Sequence, residues 1–255
     1  MTTTRPHLTT NDAAVLQALF DAESSPSSGV VIDPSLPPWP SSVSISDQDL
    51  ASLKEREASI IRQISGDSPT REMVESAVAD FDALIETYPT YPSAYTNRAQ
   101  TLRLLADIQD ESKNKNTEST SDDTLFTPQS SPLATRIFND LGQAITLATP
   151  RSPADPVSNA QARLLADVHT HRGYLLLKAA RLKKNIMGEK EETGGGPERL
   201  RGLAADQLEE MASQDFFLGG RYGNKVAQQL AVQTNPYAKM CGAIVKEAMR
   251  KEVEG

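Results

Sequence analysis

The sequence predicts an all-α fold built as an array of helix pairs. Only 5% of the residues are aromatic while 38% are hydrophobic, a balance that favours helices packed through small side chains over a β-sandwich. Apolar residues return at the helical spacing of 3.6 in each periodic segment, and none of these segments alternates as a strand does. Prolines and glycines separate the segments. We therefore expect no sheet of three or more strands.

Residues 1–46 are predicted to hold one short helix and a linker. Residues 11–20, NDAAVLQALF, place alanine, valine and leucine on one face, and Asn11 or Asp12 could cap the first turn. Residues 21–46 carry repeated prolines among serines, which remove amide donors and keep the backbone extended. Trp39 is the residue that could pin this linker to the rest of the protein.

Three helix pairs are expected over residues 47–220. Turn residues end the individual helices, as Gly66 and Pro89 do in the first pair. The expected helices span residues 47–65, 71–88, 92–107, 133–148, 160–184 and 198–213. Two stretches, 108–131 and 188–197, interrupt the second and third pairs. They are polar or glycine-rich and low in apolar residues, so we expect flexible surface loops that tolerate shortening.

Capping helices are expected over residues 221–255, at 222–232 and 237–253. An open array leaves the apolar edge of its last helix exposed unless a terminal helix covers it. After Asn235–Pro236, the last segment offers Tyr237, Met240 and Ile244 on one apolar face. This pattern predicts a cap, whereas a partner-docking motif is the alternative.

The helix pairs share the residue pattern of tetratricopeptide repeats, about 34 residues long. Ala77, Phe81, Leu84 and Pro89 follow the second-helix pattern of that repeat, and PSAYTNRAQTLRLLAD follows the first-helix pattern. Together with NDAAVLQALF before the repeats and NPYAKMC after them, the chain resembles the tetratricopeptide repeat protein 36 family. That resemblance implies three repeats with capping helices and a non-catalytic scaffold or co-chaperone-like adaptor.

Charge and cysteine content exclude several function classes. The net charge is −8 and the pI about 5.0, so the surface as a whole repels nucleic acid and anionic membranes. Cys241 is the single cysteine, which rules out an intramolecular disulfide and four-thiolate zinc sites. The N-terminus lacks the apolar stretch of a signal peptide. We expect a cytoplasmic protein, with nuclear entry left open.

No residue pattern indicates catalysis, a cofactor or a metal. His169 and His171 lie about 200° apart around a helix and cannot converge on one ion. Cys241 has no neighbouring histidine to act as its base. The Gly194–Gly196 run lacks the lysine and the preceding strand of a phosphate-binding loop. We expect the protein not to be an enzyme.

The predicted function is binding a peptide or helix of a partner protein along the first helices of the repeats. The residues expected to line that face are Arg56, Asn97, Arg98, Thr101, His171 and Tyr174. The alternative is a co-chaperone that holds the terminal carboxylate of an Hsp70 or Hsp90 chaperone. Asn97 matches such a clamp, but Ile60 and Asp167 replace residues that it requires. Asn97 could equally be a hydrogen-bond donor between helices.

Overall fold

A computed structural model describes residues 30–111, 125–186 and 196–235. Within these ranges the chain forms helices and no β-strand, which confirms the all-α prediction. The helices are α1 Asp47–Ile64, α2 Arg71–Thr87, α3 Pro92–Glu111, α4 Ser131–Ala148, α5 Asn159–Ile186, α6 Glu198–Arg201, α7 Ala205–Arg221 and α8 Lys225–Thr234. The expected helix at 11–20, the NPYAKMC string after its first residue Asn235, and the expected cap at 237–253 lie outside the described residues.

Local capping explains why α1 and α2 begin where the sequence predicts. Ser46 Oγ accepts a hydrogen bond from the Asp49 amide at 3.1 Å, and Thr70 Oγ1 accepts one from the Met73 amide at 3.3 Å. Such side chains satisfy amide groups that the first turn of a helix leaves without an acceptor. The side-chain identity at one position therefore fixes each start.

Packing follows chain order, as in a helical repeat array. The pairs α1/α2, α3/α4 and α5/α7 pack internally, and α2/α3, α4/α5 and α7/α8 join them in sequence. One hydrophobic core lies among α1, α2 and the start of α3, and a second extends from α3 to α8. Tyr95 and Trp39 contact both cores. Each helix thus buries its apolar face against its neighbours along the chain.

Residues 30–46 pack against the array, and Trp39, the residue expected to pin this linker, contacts both cores. The backbone of Ile32 forms an isolated parallel bridge with Val157, and Ser158 Oγ donates to the Pro38 carbonyl at 2.8 Å. The indole of Trp39 meets the Tyr91 ring edge-on, with centroids 6.0 Å apart. The prolines remove amide donors, but the apolar side chains between them still gain by burial.

The ends of the two expected insertions pack against the array. α3 continues to Glu111, and Leu125, only 1% exposed, lies in the larger core. Gly196, near the end of the second insertion, contacts Ser131, at the end of the first. The Gly196 carbonyl accepts a hydrogen bond from Ser131 Oγ at 2.9 Å, and Arg201 Nη2 donates to the same hydroxyl at 3.0 Å. The ends of the two insertions therefore support one another, so the stretches expected to tolerate shortening do not include Leu125 or Gly196.

The segment expected as one helix at 198–213 divides into two. α6 ends at Arg201, and α7 runs from Ala205 through Gly219 to Arg221. A Cβ on Gly219 would lie 2.8 Å from Thr170 Oγ1, so the glycine permits close crossing of α7 and α5. Sequence reading treats glycine as a helix breaker and misses this requirement of tertiary packing. α8 likewise begins at Lys225 rather than 222.

Candidate partner-binding groove

A groove lies between α3, α5 and α8. α3 and α5 are the first helices of the second and third pairs, and α8 follows the third pair. It has a volume of about 510 Å³. Its lining residues are Gln100, Arg103, Leu104 and Asp107 from α3, Asp167, Thr170, His171 and Tyr174 from α5, and Asn224, Val226 and Leu230 at α8. The groove therefore combines apolar side chains with acidic and basic ones.

Two electrostatic features of the groove involve Asp167 and Arg103. Burial raises the pKa of Asp167 above its ordinary value, and the charge of Arg163 and a hydrogen bond from Asn224 offset this only in part. The Arg103 guanidinium lies 5.3 Å from the centroid of the Tyr174 ring, within range of a cation–π contact. The carboxylate of Asp167 would thus gain from a further donor or cation supplied by a bound molecule.

The six residues predicted to bind a partner do not share one site. His171 and Tyr174 line the groove. Arg56, Asn97, Arg98 and Thr101 do not; Arg56 is exposed on α1, while Thr101 is buried and donates to the Asn97 carbonyl at 2.8 Å. The prediction of a single six-residue surface is therefore corrected. The sequence placed these residues on first helices but could not show which face of each helix packs inward.

Asn97 joins α3 to α1 through a buried carboxylate. Its Nδ2 donates to Glu57 Oε1 at 2.8 Å, and the Tyr91 hydroxyl donates to Glu57 Oε2 at 2.6 Å. Burial raises the pKa of Glu57, and the hydrogen bonds from Tyr91, Ser93 and Asn97 only partly compensate. The side-chain amide of Asn97, which a chaperone clamp would use to bind a terminal carboxylate, already donates to the Glu57 carboxylate. Ile60, 3% exposed, belongs to the core instead.

Arg98 belongs to an ion-pair network between α2, α3 and α4. Its guanidinium binds both oxygens of Asp140, at 2.8 and 2.5 Å, and also Asp82 at 2.8 Å. Arg136 binds the same Asp82 carboxylate. Desolvation lowers the pKa of Arg98, but the carboxylates outweigh it and the net shift is upward. Arg98 thus holds helices together, and its predicted contact with a partner would require breaking these bonds.

A second buried network, which the sequence did not reveal, centres on Asp215 of α7. His169 Nδ1 lies 2.7 Å from Asp215 Oδ1, and Arg172 donates through Nε and Nη2 at 2.7 and 2.8 Å. Burial alone would raise the pKa of Asp215, but these hydrogen bonds and the charge of Arg172 lower it below its ordinary value. The Tyr222 ring stacks on His169. The spacing of Arg172 three residues after His169 was the available signal.

We expect Glu57→Gln to become relatively more stabilising as pH rises from about 4 to about 7. The folded-state pKa of Glu57 is raised, so its contribution to stability is full below the unfolded-state pKa and is lost as pH rises through the folded-state value. Glutamine does not titrate. Urea unfolding across this pH range measures the difference, with the exposed neighbour Glu55→Gln as a control for net charge. A difference that falls with pH would contradict the burial argument.

Within residues 30–111, 125–186 and 196–235, no three histidine, cysteine or carboxylate side chains are grouped to hold a metal ion. No helix in the described ranges has the length and apolar character needed to cross a membrane.

Comparison with known proteins decides the family. The chain is 66% identical over 253 residues to the L-tyrosine degradation gene cluster protein hmgX of Aspergillus fumigatus, covering 98% of this chain and 95% of the relative. The chain belongs to the hmgX family. No model of a protein family matches the sequence, and no solved structure matches it.

The assignment to the tetratricopeptide repeat protein 36 family is wrong. The zebrafish (Danio rerio) protein of that name is 27% identical over 187 residues, covering 73% of this chain and 63% of its own length. The hmgX relative is far more similar and matches almost end to end. The short strings that suggested the other family thus record a distant similarity, which hmgX-family membership supersedes.

Proposed function

We propose that this protein is a non-catalytic scaffold of the tetratricopeptide-repeat type that binds a helix or peptide of a partner protein in the groove between α3, α5 and α8. The observation that carries the proposal is the groove itself, where first helices of successive pairs meet. Repeat arrays commonly bind partners along such continuous surfaces.

The exposed apolar side chains of the groove support this proposal. Val226 is 58% exposed and Tyr174 37% exposed, and both border the same cavity. A partner side chain that covers them would gain by burial. Asp167 adds a carboxylate that favours a lysine, arginine or amide donor on the partner. The preferred partner segment thus carries an apolar residue next to a basic one.

The internal use of polar groups supports a structural role. Arg98 binds Asp140 between α3 and α4. His169 and Arg172 bind Asp215 between α5 and α7. Polar networks that are satisfied in this way fix the packing of helices. We infer that these groups position the array and perform no chemistry.

The hmgX relative is named for an L-tyrosine degradation gene cluster. We infer that this chain acts in the same process, and that its partner is a protein encoded by such a cluster. We place it in the cytoplasm. The alternative of a chaperone clamp has no supporting observation, since Asn97 and Arg98 are engaged with carboxylates of this chain.

Val226→Glu is expected to weaken partner binding at least about tenfold, which corresponds to about 1.4 kcal/mol, because it places a charge where the partner's apolar side chain should lie. The measurement is affinity capture of the separate cluster-encoded proteins by the tagged protein, followed by titration calorimetry with the one retained.

Val232→Glu provides a matched control on the same helix. Val232 is 60% exposed, close to the 58% of Val226, but it does not border the groove. We expect this variant to bind as the wild type does. Equal loss of binding in both variants, or capture of none of the cluster-encoded proteins, would refute the proposal.

A further inference from the structure

A second cavity, of about 270 Å³, lies between α4, α5, α6 and α7 and shares no lining residue with the groove. Both apolar and polar side chains line it. The apolar ones are Phe138, Leu176, Leu200, Leu203, Met211 and Leu218, and the polar ones are Gln214, Asp215, Arg172 and Arg199. A small cavity that combines apolar side chains with a few polar groups is the usual form of a small-molecule site.

The two arginines differ in exposure, since Arg172 is half-buried whereas Arg199 is exposed. Desolvation lowers the pKa of Arg199, and the positive charge of Arg172 lowers it further. The Arg199 guanidinium rests over the Phe138 ring, 5.8 Å from its centroid, which holds it at the cavity wall. Among the described residues no carboxylate forms an ion pair with Arg199.

Asp215 does not supply the missing negative charge. Both of its oxygens accept hydrogen bonds from Arg172, and one of them also meets His169. The bidentate pair uses Nε and Nη2 of Arg172 and leaves Nη1 outside it. Within the described residues, Arg199 is therefore a cationic side chain of the cavity that no carboxylate pairs with, although the chain as a whole carries a net charge of −8.

We propose that this cavity binds a small carboxylate with an apolar body, its carboxylate between Arg199 and Arg172 and its body against the leucines and Met211. A carboxylate matches the planar guanidinium, with which it can form two parallel hydrogen bonds. Inorganic phosphate fits less well, because the apolar walls offer it few further donors. The volume suits a ligand of the size of a substituted benzene ring rather than a cofactor.

The test uses phenylacetate as the probe on the full-length protein, with saturation-transfer NMR and titration calorimetry. We expect saturable binding with a Kd on the order of 1 mM or tighter. Phenylacetamide, which has the same shape without the charge, should bind at least about tenfold more weakly. Arg199→Gln should weaken phenylacetate binding by a similar factor, whereas Arg199→Lys, which keeps the charge, should weaken it less.

Arg62→Gln is the matched control, because it makes the same change in charge at an exposed position near the end of α1. It should leave the Kd of phenylacetate unchanged. The proposal is overturned if the wild type does not bind phenylacetate saturably, if Arg199→Gln binds it as well as the wild type does, or if phenylacetamide or inorganic phosphate binds equally well. Because no partner protein is used, this result is independent of the test of the groove.

Discussion

Phe216→Ala is expected to lower the free energy of unfolding by about 3–5 kcal/mol, the usual cost of removing a fully buried aromatic ring. Phe216 is 0% exposed, and its ring lies against Gly173 of α5, where a Cβ would approach it to 3.0 Å. Removing the ring leaves a cavity between α5 and α7 that the rigid crossing of the two helices cannot close. Urea unfolding followed by circular dichroism measures the loss.

The adjacent Phe217 supplies the control. It is 53% exposed, and its contact is with the Arg221 guanidinium, 5.9 Å from the ring centroid. Phe217→Ala should therefore change the unfolding free energy by less than about 1 kcal/mol. Similar losses for the two variants would mean that α7 is rotated relative to the arrangement described, since neighbouring residues point in directions about 100° apart on a helix.

Asp140→Ala is expected to cost about 3–5 kcal/mol, because it removes the buried bidentate partner of the Arg98 guanidinium inside the α3/α4 interface and leaves only the solvent-screened contact with Asp82. The side chain of Asp140 is 4% exposed and that of its partner Arg98 is 13% exposed. Thermal and urea unfolding check the loss. Replacing Arg98 by methionine in the same background removes the stranded charge and should recover part of it, which distinguishes an uncompensated charge from a simple loss of packing.

Asp82→Ala is the control within the same network. The side chain of Asp82 is 43% exposed, so solvent screens its contacts with Arg98 and Arg136. We expect a loss below about 1 kcal/mol, since water replaces the lost carboxylate and Arg98 keeps Asp140. A loss from Asp82→Ala as large as that from Asp140→Ala would show that burial does not control the strength of this network.

These networks bear on the partner binding that we propose. The ion pairs of Arg98 and of Asp215 link the first helices to the second helices that cover them. A groove between helices linked in this way would be preformed, which would reduce the entropy lost when the proposed partner binds. The cavity lined by Arg172 and Arg199 lies between α4, α5, α6 and α7, so a ligand bound there would contact helices of the same array.

The sequence alone determined the helical class and most helix boundaries. Ser46, Thr70 and Pro89 are local signals, and the start of α1 and both ends of α2 fall within one residue of the expected positions. Local hydrogen bonds and backbone restrictions set such boundaries, and they act over only a few residues. For the same reason His171 and Tyr174 could be assigned to a first helix, whereas their position in the groove follows from the packing of α5.

Tertiary structure decided the features that depend on contacts distant in sequence. The packing of residues 30–46, the burial of Leu125 and the passage of α7 through Gly219 each depend on a partner far along the chain. Asp140 and Asp215 become network centres only because helices bring arginines to them, and those bonds withdraw Arg98 from the surface. Periodicity shows that a helix has an apolar face, but the neighbouring helices determine which polar residues that face also buries.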